Sequence, residues 1–303
     1  MFYNLENFFD LEDDPGNQDD EFTPGGSRHW NSYKYHQKKK NLMKVIAATG
    51  GWTTPALVGV CEVEKRSCLE DLFKRTPLSR NDYQIIHRDS EDHRGIDVAL
   101  AYQESHFELL DTSWIRLTGK DGVGIATREI LYAKGKLISG DILHVFVNHW
   151  PSRYSGQKSS EPLRLLAAKT LKIHTDSILK ADPEGGIVLM GDFNDGPNDK
   201  SIQLLTTDQK LFNAMSPYIS SHRGTLIHQD PIPQWYLFDQ IIVSKNLIEK
   251  NGELRLDQGK ASIYNANWLL EADGQHLFRT YKGFSYQGGF SDHLPVYCDL
   301  MLR

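Results

Sequence analysis

Long apolar runs are missing from this 303-residue chain, and no stretch approaches the ~20 residues that a membrane-crossing helix needs. Cysteine is scarce. Cys61, Cys68 and Cys298 make an odd count with no C-x-x-C pair, which argues against a disulfide framework and a cysteine-held zinc and reads as small buried hydrophobes. An excess of positive charge is absent too: 34 Lys and Arg stand against 40 Asp and Glu, for a formal net charge of -6. The overall basic footprint of a non-specific nucleic-acid binder is therefore lacking, although a local basic cleft is compatible with that balance. There is no internal repeat and no low-complexity linker, so the reading is one domain over 1–303. The opening Met1-Phe2-Tyr3-Asn4 shows neither a charged n-region nor an apolar h-region. That implies a cytoplasmic protein if Met1 is the true start, and a periplasmic or secreted one if a signal peptide has been removed.

Short apolar, β-branched runs are what the chain does have. Residues 57–60, 83–87, 97–102, 142–148, 187–190, 240–244 and 295–300 are each of strand length, and several end in polar residues or glycine. Between them, helical spacing predicts helices over 33–49, 67–75 and 161–179, with Gly50-Gly51 stopping the first and Pro162 in the first turn of the last. Strands alternating with helices, but also following one another directly, predict two packed sheets with helices outside. Residues 10–21 form an acidic run containing Pro15 and Gly16. Such oxygen-rich loops can bind Ca2+, but EF-hand spacing is absent and the run reads as a solvated surface loop. Residues 217–235, rich in Ser, His and Pro, read as a long loop at a substrate entrance.

Four strand ends carry chemistry. In Ile187-Val-Leu-Met-Gly-Asp192-Phe-Asn194, period two puts Asp192 and Asn194 on one face, a carboxylate and a carboxamide suited to a water and a phosphate oxygen. In Leu57-Val-Gly-Val-Cys-Glu62-Val-Glu64, either glutamate is placed to anchor a hard cation, and alternation does not separate them. Ser291-Asp292-His293 follows Gly288-Gly289 and precedes a strand. Histidine there suits proton transfer, with Asp239 of Phe238-Asp239-Gln240 as the carboxylate that fixes its tautomer. Val147-Asn148-His149-Trp150-Pro151-Ser152-Arg153 ends a strand in a second histidine and an arginine.

Together these segments resemble the endonuclease/exonuclease/phosphatase superfamily, from Asn4 in Phe2-Tyr-Asn-Leu-Glu-Asn7 to Ser291-Asp-His-Leu-Pro295. The resemblance implies a DNase I-like four-layer α/β sandwich: two mainly antiparallel sheets, with helices outside. It implies that Asn4 and Asn194 bind the phosphate or the attacking water, that Glu62 rather than Glu64 holds Mg2+ (Mn2+ as substitute), and that Asp292 is a further metal-side carboxylate. Asp192 would orient or deprotonate the nucleophile, Asp239 would pair with His293, and His149 matches a histidine of DNase I-like and sphingomyelinase-like members. Arg94 in Arg94-Gly-Ile-Asp97, with Arg153, would contact phosphate or substrate. The family's first motif usually has Trp before the asparagine, where this chain has Tyr3.

The activity implied is hydrolysis of a phosphodiester by in-line water attack. The substrate is undecided between nucleic acid, phospholipid and a small diester, and no stable protein partner is implied. A phosphomonoesterase of the same fold and a non-catalytic binding member are the alternatives, the latter disfavoured because positions 62, 192, 239 and 293 all keep acids or histidine. A dinuclear metallophosphatase needs an Asp-x-His near its start, and there is none. Trp30, Tyr154, Trp235, Tyr236 and Trp268 could stack bases, meet lipid or simply fill a core.

Overall fold

The computed structural model describes residues 1–119, 122–154, 156–221, 223–228, 234–249 and 254–302. The strands that build the core are β1 (Phe2–Phe8), β2 (Leu57–Val63), β3 (Tyr83–His87), β4 (Asp97–Gln103), β5 (Phe107–Ile115), β6 (Ile130–Leu137), β7 (Ile142–His149), β8 (Gly186–Asp192) and β9 (Leu211–Asn213). They are followed by β10 (Leu226–His228), β11 (Gln234–Tyr236) and β12 (Asp239–Ser244). One six-stranded sheet has the order Ser262–Ile263, Val296–Tyr297, β1, β2, β4, β3, and the other the order β5, β6, β7, β8, β12, β9. Pairing is antiparallel except between β1 and β2 and between β7 and β8. The helices are α1 (Ser32–Thr49), α2 (Arg66–Lys74), α3 (Gln157–Ala181) and α4 (Lys200–Thr206).

Alternation explains the layering. Along β8, Val188 and Met190 join Val145, Val147, Cys61 and Leu100 between the sheets, while Ile187 and Leu189 join Ala167, Ala168 and Leu171 under α3. Along β1 and β2, Tyr3, Leu5, Val58 and Val60 turn outward to Leu42, Val45 and Ile46 of α1 and Leu69 and Leu72 of α2. Two sheets buried on both faces, with helices outside, make the four layers. The sheets approach closely at Gly59, where an added Cβ would sit 2.6 Å from the Met190 sulfur.

Several expectations need correction. β5 and β6 were not visible in the sequence, because β5 is an edge strand with a bulge between Leu109 and Asp111 and mostly exposed residues. The strand over 295–300 is two short ones, Val296–Tyr297 and Leu300–Met301, which pair with different partners. Helix α3 begins earlier than expected, so Pro162 lies inside it and not in its first turn. Two residues on, the Arg164 guanidinium ties the start of this helix to its surroundings, binding Pro151 O and Gln157 O and pairing with Asp195 at 2.8 Å. Within 217–235, positions 222 and 229–233 lie outside the described residues, and the remainder carries the β10–β11 hairpin. The acidic run is not a fully solvated loop, because Asp19 is buried.

Candidate active site

The second sheet lines up three of the expected residues on one rung. Asp192 pairs with His149 in the parallel β7–β8 register and with Asp239 in the antiparallel β8–β12 register. β1 and β2 pack across from them. Asn4 crosses the gap, its Nδ2 donating to Asp192 Oδ2 at 3.1 Å. Around the same oxygen stand His149 Nε2 at 3.8 Å and His293 Nε2 at 3.9 Å. The other Asp192 oxygen accepts the Asn194 N–H at 3.0 Å. Asn194 has φ 51, and its Nδ2 donates to Trp150 O at 2.9 Å.

His293 is held from three sides. Its Nδ1 donates to Asp239 Oδ2 at 2.6 Å, which leaves Nε2 facing the site. Its backbone N–H binds Ser291 Oγ, and that hydroxyl donates to Asn4 O at 2.8 Å. Burial alone would lower the pKa of His293. The charge of Asp239, the bond to it, and the charges of Asp192 and Asp292 override burial and hold the ring well above its ordinary value. His149 is pushed the other way, by burial first and then by Arg128, Arg94 and His293, so its ring is neutral. Burial raises the Asp192 carboxyl to about 7, with Asp239 and Glu62 adding to the rise and His293 and the Asn194 N–H opposing it.

Glu62 sits in a bulge of β2 between Cys61 and Val63, with φ 59. The bulge breaks the alternation that would have put Glu62 and Glu64 on one face. Glu62 accepts Asn7 N–H at 3.1 Å and turns Oε1 toward His149 Nε2 at 3.8 Å and Arg94 Nη2 at 3.7 Å. Glu64 instead accepts Asp10 N–H, on the acidic loop. Arg94 Nη2 donates to Asn7 Oδ1 at 2.8 Å, so it stands over the site. Arg153 does not. It donates to Asn194 O at 2.6 Å and reaches Asp195 and Asp199 at 2.6 and 2.5 Å, bracing the turn after β8.

Asp292 reaches the site through residues that the reading of the sequence missed. Its Oδ2 accepts from Arg279 at 2.8 Å, and Arg279 Nε also binds Glu6 Oε1 at 3.2 Å. Glu6 is buried, takes the Thr280 N–H at 2.7 Å, and lies 3.5 Å from the fully buried Lys38 ammonium. A carboxylate two residues after Asn4 was the available signal for Glu6. Arg279 and Lys38 carry no local motif and come into place only through tertiary contacts. The oxygen donors suit a hard divalent cation. Asp292 is raised by burial and by the charges of Glu6 and Glu62, a concentration of anions only partly relieved by Arg279 and His293 and one that a cation at Glu62 would relieve further. The aromatic residues divide by burial. Trp30 is core, Trp268 packs on Phe290 and under Lys44, and Tyr154 is fully exposed.

The model of the Endonuclease/Exonuclease/phosphatase family matches residues 1–302. Among solved structures, the chain resembles an endonuclease/exonuclease/phosphatase protein from Bacteroides vulgatus at 19% identity, with 100% of this chain and 97% of that one covered and a TM-score of 0.61. It also resembles the mannosyl-6-phosphatase of Bacteroides thetaiotaomicron, at 17% identity, coverage of 99% and 98%, and a TM-score of 0.62. The catalytic domain of human nocturnin overlaps at 19% identity, with coverage of 89% and 87% and a TM-score of 0.61. No curated protein sequence matches significantly.

Proposed function

Because the chain belongs to the endonuclease/exonuclease/phosphatase family, whose members are phosphoester hydrolases, we propose that it is a Mg2+-dependent phosphodiesterase acting by in-line attack of water. The observation that carries this reading is the convergence on Asp192 of Asn4, His149 and the Asp239-fixed His293, beside Glu62. A divalent cation, held by Glu62 with Asp292 and Glu6 nearby, would supply neutralisation of the charge that builds on the phosphate oxygens. The remaining steps fall to the chain's own residues. Asp192 orients the attacking water and takes its proton, a task its elevated pKa suits near neutral pH. His293, kept protonated by Asp239, donates from Nε2 to the phosphate. His149 and the Asn4 amide donate to the same oxygens, and Arg94 binds the substrate from the rim.

A phosphomonoester substrate is the second reading, favoured by the overlap with the mannosyl-6-phosphatase over almost the whole of both chains. The deciding experiment measures hydrolysis of plasmid DNA, a chromogenic diester and a chromogenic monoester with Mg2+. It compares the natural protein with His293→Ala and with EDTA-treated protein. Diester turnover lost in both controls supports the primary reading, and monoester turnover with the same losses supports the second. Turnover that survives His293→Ala rules out this site for either reaction.

A further inference from the structure

Residues 10–22 close onto the end of β2 in a way that a solvated loop does not explain. Carboxylate oxygens of Asp14, Asp19 and Glu64 come within 4.8 Å of one another. Two oxygens on opposite sides of a bound Ca2+ are about 5 Å apart, so the spacing fits one ion. Asp19 is 1% exposed and Glu64 3%. Asp19 Oδ1 and Glu64 Oε1 are buried without a hydrogen-bond donor, each a large cost unless a cation meets it.

The neighbouring ammonium does not meet that need. Lys65 Nζ lies 3.0 Å from Asp10 Oδ2, 3.1 Å from Asp14 Oδ1 and 3.8 Å from Glu64 Oε1. Among the described residues no basic side chain pairs with Asp19, and the one ammonium already faces three other carboxylates, Asp10, Asp14 and Glu64. Asp19 Oδ2 takes only the Asp14 N–H at 3.1 Å, and Glu64 Oε2 the Asp10 N–H at 2.6 Å.

We propose that Asp14, Asp19 and Glu64 form a Ca2+ site, distinct from the catalytic centre, that fastens the acidic loop to the end of β2. Water and loop carbonyls complete the shell, as is common for Ca2+. The loop spacing alone does not announce such a site, because the third ligand comes from a distant strand. The ion also braces the rim of the active site. Gln18 N–H donates to His93 O at 2.7 Å, and the Asn17 side chain packs against Gly95, flanking Arg94 on both sides.

The test uses Ca2+ alone on the Glu62→Gln protein, in which the catalytic cation site lacks its anchoring carboxylate. Calorimetry is expected to give one saturable site, and about 1 mM Ca2+ is expected to raise the Tm by roughly 2–5 °C. Adding Asp19→Asn is expected to abolish both effects while native circular dichroism is kept. If that variant fails to fold, Lys65→Met decides: losing the competing ammonium tightens Ca2+ binding roughly tenfold if the ion sits here. No saturable binding to Glu62→Gln overturns the proposal. So does binding that is unchanged by Asp19→Asn or, where that variant is unfolded, unchanged by Lys65→Met.

Discussion

Asp192 and Asp239 face each other as antiparallel partners on adjacent strands, yet they serve His293 from opposite sides. Asp239 holds Nδ1 at 2.6 Å, and Asp192 stands 3.9 Å from Nε2. One carboxylate fixes the ring and the other shares its working face. Asp239→Asn should therefore leave the fold intact and lower the rate by ~10²–10⁴, with the His293 pKa falling toward its ordinary value. An NMR titration of the ring together with steady-state kinetics checks both. An unmoved ring pKa would contradict the assigned pairing.

The buried charge of Asp192 should be legible in stability. Its folded pKa of about 7 lies above the ordinary value of 3.8. The group thus contributes stability that is complete below about pH 4 and is lost as pH rises through 7, where the charge must be buried. In EDTA, the Tm difference between Asp192→Asn and the parent should move in the variant's favour across that window. Each unit of displacement is worth about 1.4 kcal/mol. A difference that is flat with pH would mean that the carboxylate is not destabilised.

Arg94 and Arg153, both expected to contact substrate, should behave differently. Arg94→Ala should raise KM roughly tenfold with little loss of Tm. Arg153→Ala removes its charged hydrogen bonds to Asp195, which keeps Arg164, and to Asp199, and should cost about 2 kcal/mol of stability by denaturant unfolding. A loss of affinity without a loss of stability in the Arg153 variant would restore its expected role.

Glu62→Gln should weaken activation by Mg2+, seen as a higher Mg2+ requirement and a rate lower by at least ~10² at fixed Mg2+. Gln keeps the contact with Asn7 N–H, so the fold should hold. Equal Mg2+ titration curves for variant and parent would shift the cation to Glu6 and Asp292.

Most of the core was readable because short apolar, β-branched runs ending in Asp192, Glu62 and His149 leave little ambiguity about which strands are buried. The edge strand β5 was not readable, since half of it meets solvent and a bulge disrupts its alternation. The same limit applied at the site. Period two set Glu62 and Glu64 equal, and a single bulged residue sends them to different tasks. Asp239 and His293 could be paired by chemistry alone. Lys38, Arg279 and the burial of Asp19 depend on contacts between segments far apart in the chain, which no local pattern records.

The hydrogen bond from Ser291 to Asn4 closes the site with the first and the last of its segments. During synthesis, residue 293 must therefore leave the ribosome before His293 can meet Asp239, so a nascent chain that already carries Asn4, Glu62 and Asp192 still lacks the fixed histidine of the site.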